Sequence, residues 1–147
     1  MDWHEVATRS HYQTAAAVQA CLHEGDIEAV GRGIEELVAA LGRSERRALK
    51  SQLVRLVTHV IKWKEQPERR TSSWVYTIES ARMEIADLLE EEPSLRPQLP
   101  DLLSRVQQQG QRLAEAEMQQ PAKMGEVSWQ ELFEDRYFLG NDGEVGH

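Results

Sequence analysis

An all-α fold, a single bundle of about five main helices with a short helix near the C-terminus, is predicted by three features of this 147-residue chain. Apolar residues recur at steps of three and four in five successive segments, while strand-like alternation is nearly absent. Glycines, prolines and cap-forming Ser, Thr and Asp residues fall between those segments, where helices end and begin. The composition, 40% hydrophobic and 29% charged, suits amphipathic helices with solvated outer faces better than a two-sided sheet. A chain of this length can bury one sizeable core without metal or disulfide. Residues 1–139 are therefore expected to form one helical domain and residues 140–147 a flexible tail.

Tyr12, Ala15, Val18 and Leu22 mark the inward face of a first helix, closed by Gly25. Asp26 caps a second, with the stripe Ile27, Val30, Ile34, Leu37, Val38 and Leu41; Gly42 ends it and Ser44 caps a third. The third runs from about Glu45 to Gln66, turns Leu49, Leu53, Leu56, Val57, Val60 and Ile61 to the core, and stops at Pro67. Thr71, Ser72 or Ser73 caps a fourth, with the stripe Trp74, Ile78, Ala81, Ile85 and Leu88. Pro93, Pro97 and Pro100 interrupt the chain next, because proline in a helix interior costs about 3 kcal/mol. The fifth helix accordingly starts between Pro97 and Pro100 and continues through Leu102, Leu103, Val106, Gly110, Leu113 and Glu117. Gly110 on that stripe permits close approach of a neighbouring backbone, and Gln107, Gln108, Gln109 and Gln111 lie outward. A linker from Gln119 to Val127 leads to a short helix opened by a Ser128–Glu131 capping box. Its aromatic run, Trp129, Phe133, Tyr137 and Phe138 with Leu132, is expected to dock back onto the domain.

The net charge of −8 argues against general affinity for nucleic acid. From Arg43 to Arg70, however, nine Lys or Arg face only three Glu, so an acidic chain carries one basic helix and its two ends. Cys21 is the sole cysteine, which precludes an intramolecular disulfide, suits a reducing compartment and reads as buried helix filler. The N-terminus lacks a signal-like pattern, and the longest apolar run is Leu37–Leu41, far short of a membrane span. A cytoplasmic protein is expected. His4, His11, His23, His59 and His147 are scattered without ligand spacing, Glu-x-x-His is missing, and Cys21 has no cation beside it. No metal, cofactor or catalytic residue is therefore expected.

The corner from His59 to Trp74 is the most informative stretch, with two tryptophans, a histidine and four cations around Pro67. His59, Lys62, Trp63 and Gln66 share a helical face. That face serves either as a polar-aromatic recognition surface or as ordinary packing, with Trp63 against Trp74 and the lysine stem extending outward. Arg69 and Arg70 precede a Thr-Ser-Ser helix start, where free amides favour an anion; alternatively they pair with carboxylates. Arg43, Arg46, Arg47 and Lys50 at the other end oppose the dipole of the expected third helix, with Glu35 and Glu36 placed to compensate across a hairpin. A helix of that length spans about 33 Å, so the two cationic ends cannot share one small anion.

The strings Leu41-Gly42-Arg43-Ser44-Glu45-Arg46-Arg47-Ala48-Leu49 and His59-x-x-Lys62-Trp63-x-x-Gln66-Pro67-Glu68-Arg69-Arg70 resemble a bacterial family known as domain of unknown function twenty-nine. Ser94-Leu95-Arg96-Pro97-x-x-Pro100 with Asp101-Leu102-Leu103 is similar to its next motif, and Ser128 to Phe138 to its C-terminal segment. The resemblance implies a helical bundle of unassigned activity. Members often carry acidic residues with an Asn or His where this chain has Val30-Gly31-Arg32-Gly33. The resulting expectation is an interaction or regulatory module contacting another protein through His59, Lys62, Trp63, Gln66, Arg69, Arg70 and Trp74. The alternative is an anion- or nucleic-acid-associated protein using Arg69, Arg70, Lys62 and Lys64.

Overall fold

The structure, a computed structural model, describes residues 1–140 and is all-α, with no strand among the described residues. Five α-helices form: α1 (Trp3–Arg9), α2 (His11–Glu24), α3 (Ile27–Glu65), α4 (Ser72–Glu91) and α5 (Leu99–Met118). Short 3₁₀ turns at Pro67–Arg69 and Pro93–Gln98 and one π-helical turn at Gln130–Glu134 complete the chain. No described helix is long and apolar enough to cross a membrane. The tail expected over 140–147 lies, from residue 141 onward, outside the described residues.

The chain divides into two compact units, Met1–Arg47 and Ala48–His147. In the first, α1 is an element the sequence reading missed; Asp2 caps it through the Glu5 amide. Ser10 ends α1 and caps α2 through the Gln13 amide, and α2 stops at Gly25, whose φ of 80° only glycine adopts freely. Asp26 accepts from the Ala29 amide at 3.1 Å, as expected of a cap.

Three expectations for this unit are corrected. Gly42 and Ser44 do not separate two helices, because α3 is continuous; an interior glycine costs only about 1 kcal/mol and is flanked here by good helix formers. The hairpin, and with it the dipole penalty on Arg43, Arg46 and Arg47, does not exist, and Glu36 instead meets His4 at 3.1 Å. Second, the stripe Ile27, Ile34, Val38 and Leu41 is not the core face: these residues are 65%, 47%, 64% and 41% exposed. The buried side of this stretch is small, consisting of Ala29, Gly33 and Ala40. A Cβ on Gly33 would lie 2.8 Å from Trp3 Cζ3, so the glycine permits the aromatic ring of α1 to pack on the helix. Third, Tyr12 and Leu22 are exposed, Thr14 is the buried residue of α2, and Cys21 is only half-buried.

The second unit matches its sequence pattern closely. Leu49, Leu53, Leu56, Val57, Val60 and Ile61 of α3 are buried together with Ile78, Ala81 and Ile85 of α4. Leu99, Leu102, Val106, Ala114 and Met118 of α5 join them, whereas Leu113 is exposed. Helix α5 crosses α3 at Gly110, where an added Cβ would collide with Val57 and sit 3.3 Å from the Thr58 amide nitrogen.

Candidate functional site

The corner begins in the last turns of α3. Pro67 cannot continue the helix, so the chain makes a 3₁₀ turn, and Thr71 restarts it by accepting from the Trp74 amide at 3.3 Å. Buried Gln66 holds the turn through its backbone, donating to the Lys62 carbonyl and accepting from the Arg69 amide.

Trp63 is buried, but its ring does not meet Trp74 as the sequence suggested. It packs edge-on against Tyr137 with centroids 5.4 Å apart, and the Arg70 guanidinium lies 4.4 Å from its centre on the ring face. Arg70 Nε also donates to the Trp63 carbonyl at 2.9 Å. Half-buried Trp74 receives the Lys62 ammonium at 4.7 Å, and that ammonium also pairs with Glu117 at 3.1 Å. Arg69 alone of the two arginines is exposed.

Most of the corner holds the C-terminal segment in place. Lys64 pairs with Glu131 at 2.9 Å, and Glu65 accepts from the Lys123 and Met124 amides at 2.8 and 2.7 Å. The expected capping box forms reciprocally between Ser128 and Glu131. Burial opposes ionisation of Glu131, yet the Ser128 amide and the Lys64 ammonium together hold its carboxyl below the ordinary value. Burial pushes the Tyr137 phenol well above its ordinary range, so it acts as a neutral donor, reaching the Glu131 carbonyl at 2.7 Å.

Arg82 completes the clasp and was not foreseen. It sits beside the inward stripe of α4 and donates to the carbonyls of Leu132 at 2.6 Å and Glu131 at 3.1 Å, with Tyr137 nearby. Nothing in its spacing distinguishes it from a solvated cation. A hydrogen bond from a charged donor contributes about 1.5–3 kcal/mol. Arg82→Ala is therefore expected to destabilise the protein by about 2 kcal/mol or more and to raise hydrogen exchange at residues 127–137 selectively. Unchanged protection there would mean that the segment is held without Arg82.

His59 is half-buried beside a shallow groove of about 450 Å³ lined by Val54, Arg55, Thr58, Leu113 and Glu117, among others. Its Nδ1 faces the Arg55 carbonyl at 2.9 Å, so the neutral ring carries its proton there. Burial lowers its pKa, with Lys62 adding to the effect against that carbonyl, and keeps it uncharged at neutral pH. Cys21 and the other described histidines lie far along the sequence, and no three His, Cys, Asp or Glu side chains gather as a metal set among the described residues.

A family model described as Domain of unknown function DUF29 matches residues 11–138. The chain belongs to that family. No curated protein and no solved structure matches it. The DUF29 match takes in the whole corner together with Glu131 and Tyr137, and leaves out α1.

Proposed function

We propose that this DUF29 protein is a helical interaction module, and that its contact surface is the outward stripe of α3 in the first unit. The expectation of a module is kept. Its surface moves from the corner, where Trp63, Lys62, Lys64 and Arg70 are engaged within the chain.

One observation carries the reading: Ile27, Ile34, Val38 and Leu41 are exposed and Val30 and Leu37 half-buried, while the small residues Ala29, Gly33 and Ala40 are buried. The exposed Ile34, Val38 and Leu41 stand four and three residues apart, with Ile27 two turns before Ile34, the spacing by which one helix seats knobs on another. Contiguous exposed apolar surface of this kind marks association.

The partner that fits best is a second copy running antiparallel. Residues 26–36 carry Asp26, Glu28, Glu35 and Glu36 against Arg32, and residues 43–47 carry Arg43, Arg46 and Arg47 against Glu45, so an antiparallel pair sets a net acidic stretch against a net basic one while a parallel pair sets like against like. Sedimentation equilibrium of the full chain across the micromolar range tests this. A dimer that becomes monomeric in Ile34→Asp/Val38→Asp, with helicity unchanged by circular dichroism, is the expected result. A monomeric wild type, or a dimer indifferent to those changes and to Val38→Lys, would remove the stripe as the contact.

A further inference from the structure

A second chemical feature of the first unit adjoins the basic end of that α3 stretch. The last turn of α1, the first turn of α2 and the 40–47 stretch of α3 enclose a pocket of about 300 Å³. Thr8, Arg9, His11, Arg43, Ser44 and Arg47 line it, with alanines completing the wall and no carboxylate in the lining.

Arg43 and Arg47 stand four residues apart, one turn above the other on the same face of α3. Arg9 comes from a different helix and has only a long contact of 3.9 Å to Glu5, between two largely exposed side chains. Such a pair contributes little and leaves the guanidinium available. In a chain of net charge −8, three guanidiniums around one carboxylate-free pocket repel each other, and an anion would relieve that repulsion.

We propose that this pocket binds a small phosphate-bearing anion. Guanidinium forks match phosphate oxygens two at a time, which favours phosphate over a monovalent anion. The Ser44 hydroxyl adds a neutral donor; that of Thr8 already donates to the His4 carbonyl at 2.9 Å and remains an acceptor. Ligand pockets range over about 300–1,000 Å³, and this one stands at the lower limit, the size for a phosphate or diphosphate group on a small body.

Isothermal titration of inorganic phosphate and of pyrophosphate into the full chain tests the site, using wild type, Arg43→Ala/Arg47→Ala, Arg9→Ala and, as a control at the corner, Arg69→Ala. The wild type is expected to bind, more weakly as salt rises, with pyrophosphate preferred if two phosphoryl groups are accommodated. Affinity should fall about tenfold or more in the double variant and in Arg9→Ala, since charge-assisted contacts are removed, and stay unchanged in Arg69→Ala. Absence of binding to both anions by the wild type would overturn the proposal. So would equal binding by wild type, Arg9→Ala and the double variant, or binding of a single-stranded oligonucleotide tighter than of either small anion. The three arginines are exposed, so the variants should keep wild-type circular dichroism.

Discussion

Trp63→Ala is expected to cost about 3–5 kcal/mol of unfolding free energy, the range for truncating a well-buried aromatic side chain. The loss has three parts, all centred on one ring. The cavity opens in the second unit, where Trp63 is buried among the core residues. Tyr137 loses its edge-on partner, and the Arg70 guanidinium loses the aromatic face it covers. Urea unfolding should show the midpoint shift, and Trp63→Phe should recover a large share because a ring is restored. Trp74→Ala should cost less, since that side chain is half-buried and sits at the margin of the core. If Trp63→Ala left stability untouched, the interior role assigned to this residue would be wrong.

Gly110→Val is expected to rank next. Overpacking a filled interior costs about 1–3 kcal/mol, and here the clash exceeds what a flexible side chain could absorb. An added Cβ lies 2.8 Å from Val57 Cβ and 3.3 Å from the Thr58 backbone nitrogen, so α3 and α5 would have to separate. The helix-propensity gain from replacing glycine, at most about 1 kcal/mol, cannot offset that. Gly31→Ala supplies the contrast: nothing lies within 4 Å of the position, so the same class of change should be neutral or stabilising. Thermal unfolding of the two variants side by side reads the difference. Equal midpoints would mean that the α3–α5 crossing tolerates a wider spacing.

Both results depend on features legible to different degrees in the sequence. Gly110 was identifiable as a place of close approach because a glycine on an apolar stripe has few other uses; its neighbour Val57 was not. Trp63 was identifiable as a packed or recognition residue, yet the expected partner, Trp74, was the one near in sequence. The observed partner, Tyr137, lies beyond a linker whose course is set by Glu65 and Glu115 accepting its amides and by Gln107 bonding Val127. Side-chain-to-backbone clasps of this kind leave no periodic trace, which is why Arg82 also passed as an ordinary surface cation. The alternative of an anion at Arg69 and Arg70 rested on their place before a helix start, and the same limit applies to it, since the sequence does not show that Arg70 lies against Trp63.

By itself the sequence determined the local events: helix starts at Asp26, Thr71 and Ser128, stops at Gly25 and Pro67, and inward faces of α4 and of α3 beyond Leu49. These rest on dihedral preference, cap hydrogen bonds and periodicity, each confined to neighbours within a turn or two. Only the tertiary structure decided that α3 runs unbroken through Gly42 and that Ala29, Gly33 and Ala40, rather than Ile34 and Val38, turn inward in the first unit. A three-four stripe states that a face is apolar without stating what covers it. Packing Trp3 onto Gly33 depends on close approach between helices, and that requires small residues inward whatever the hydrophobicity of the opposite face.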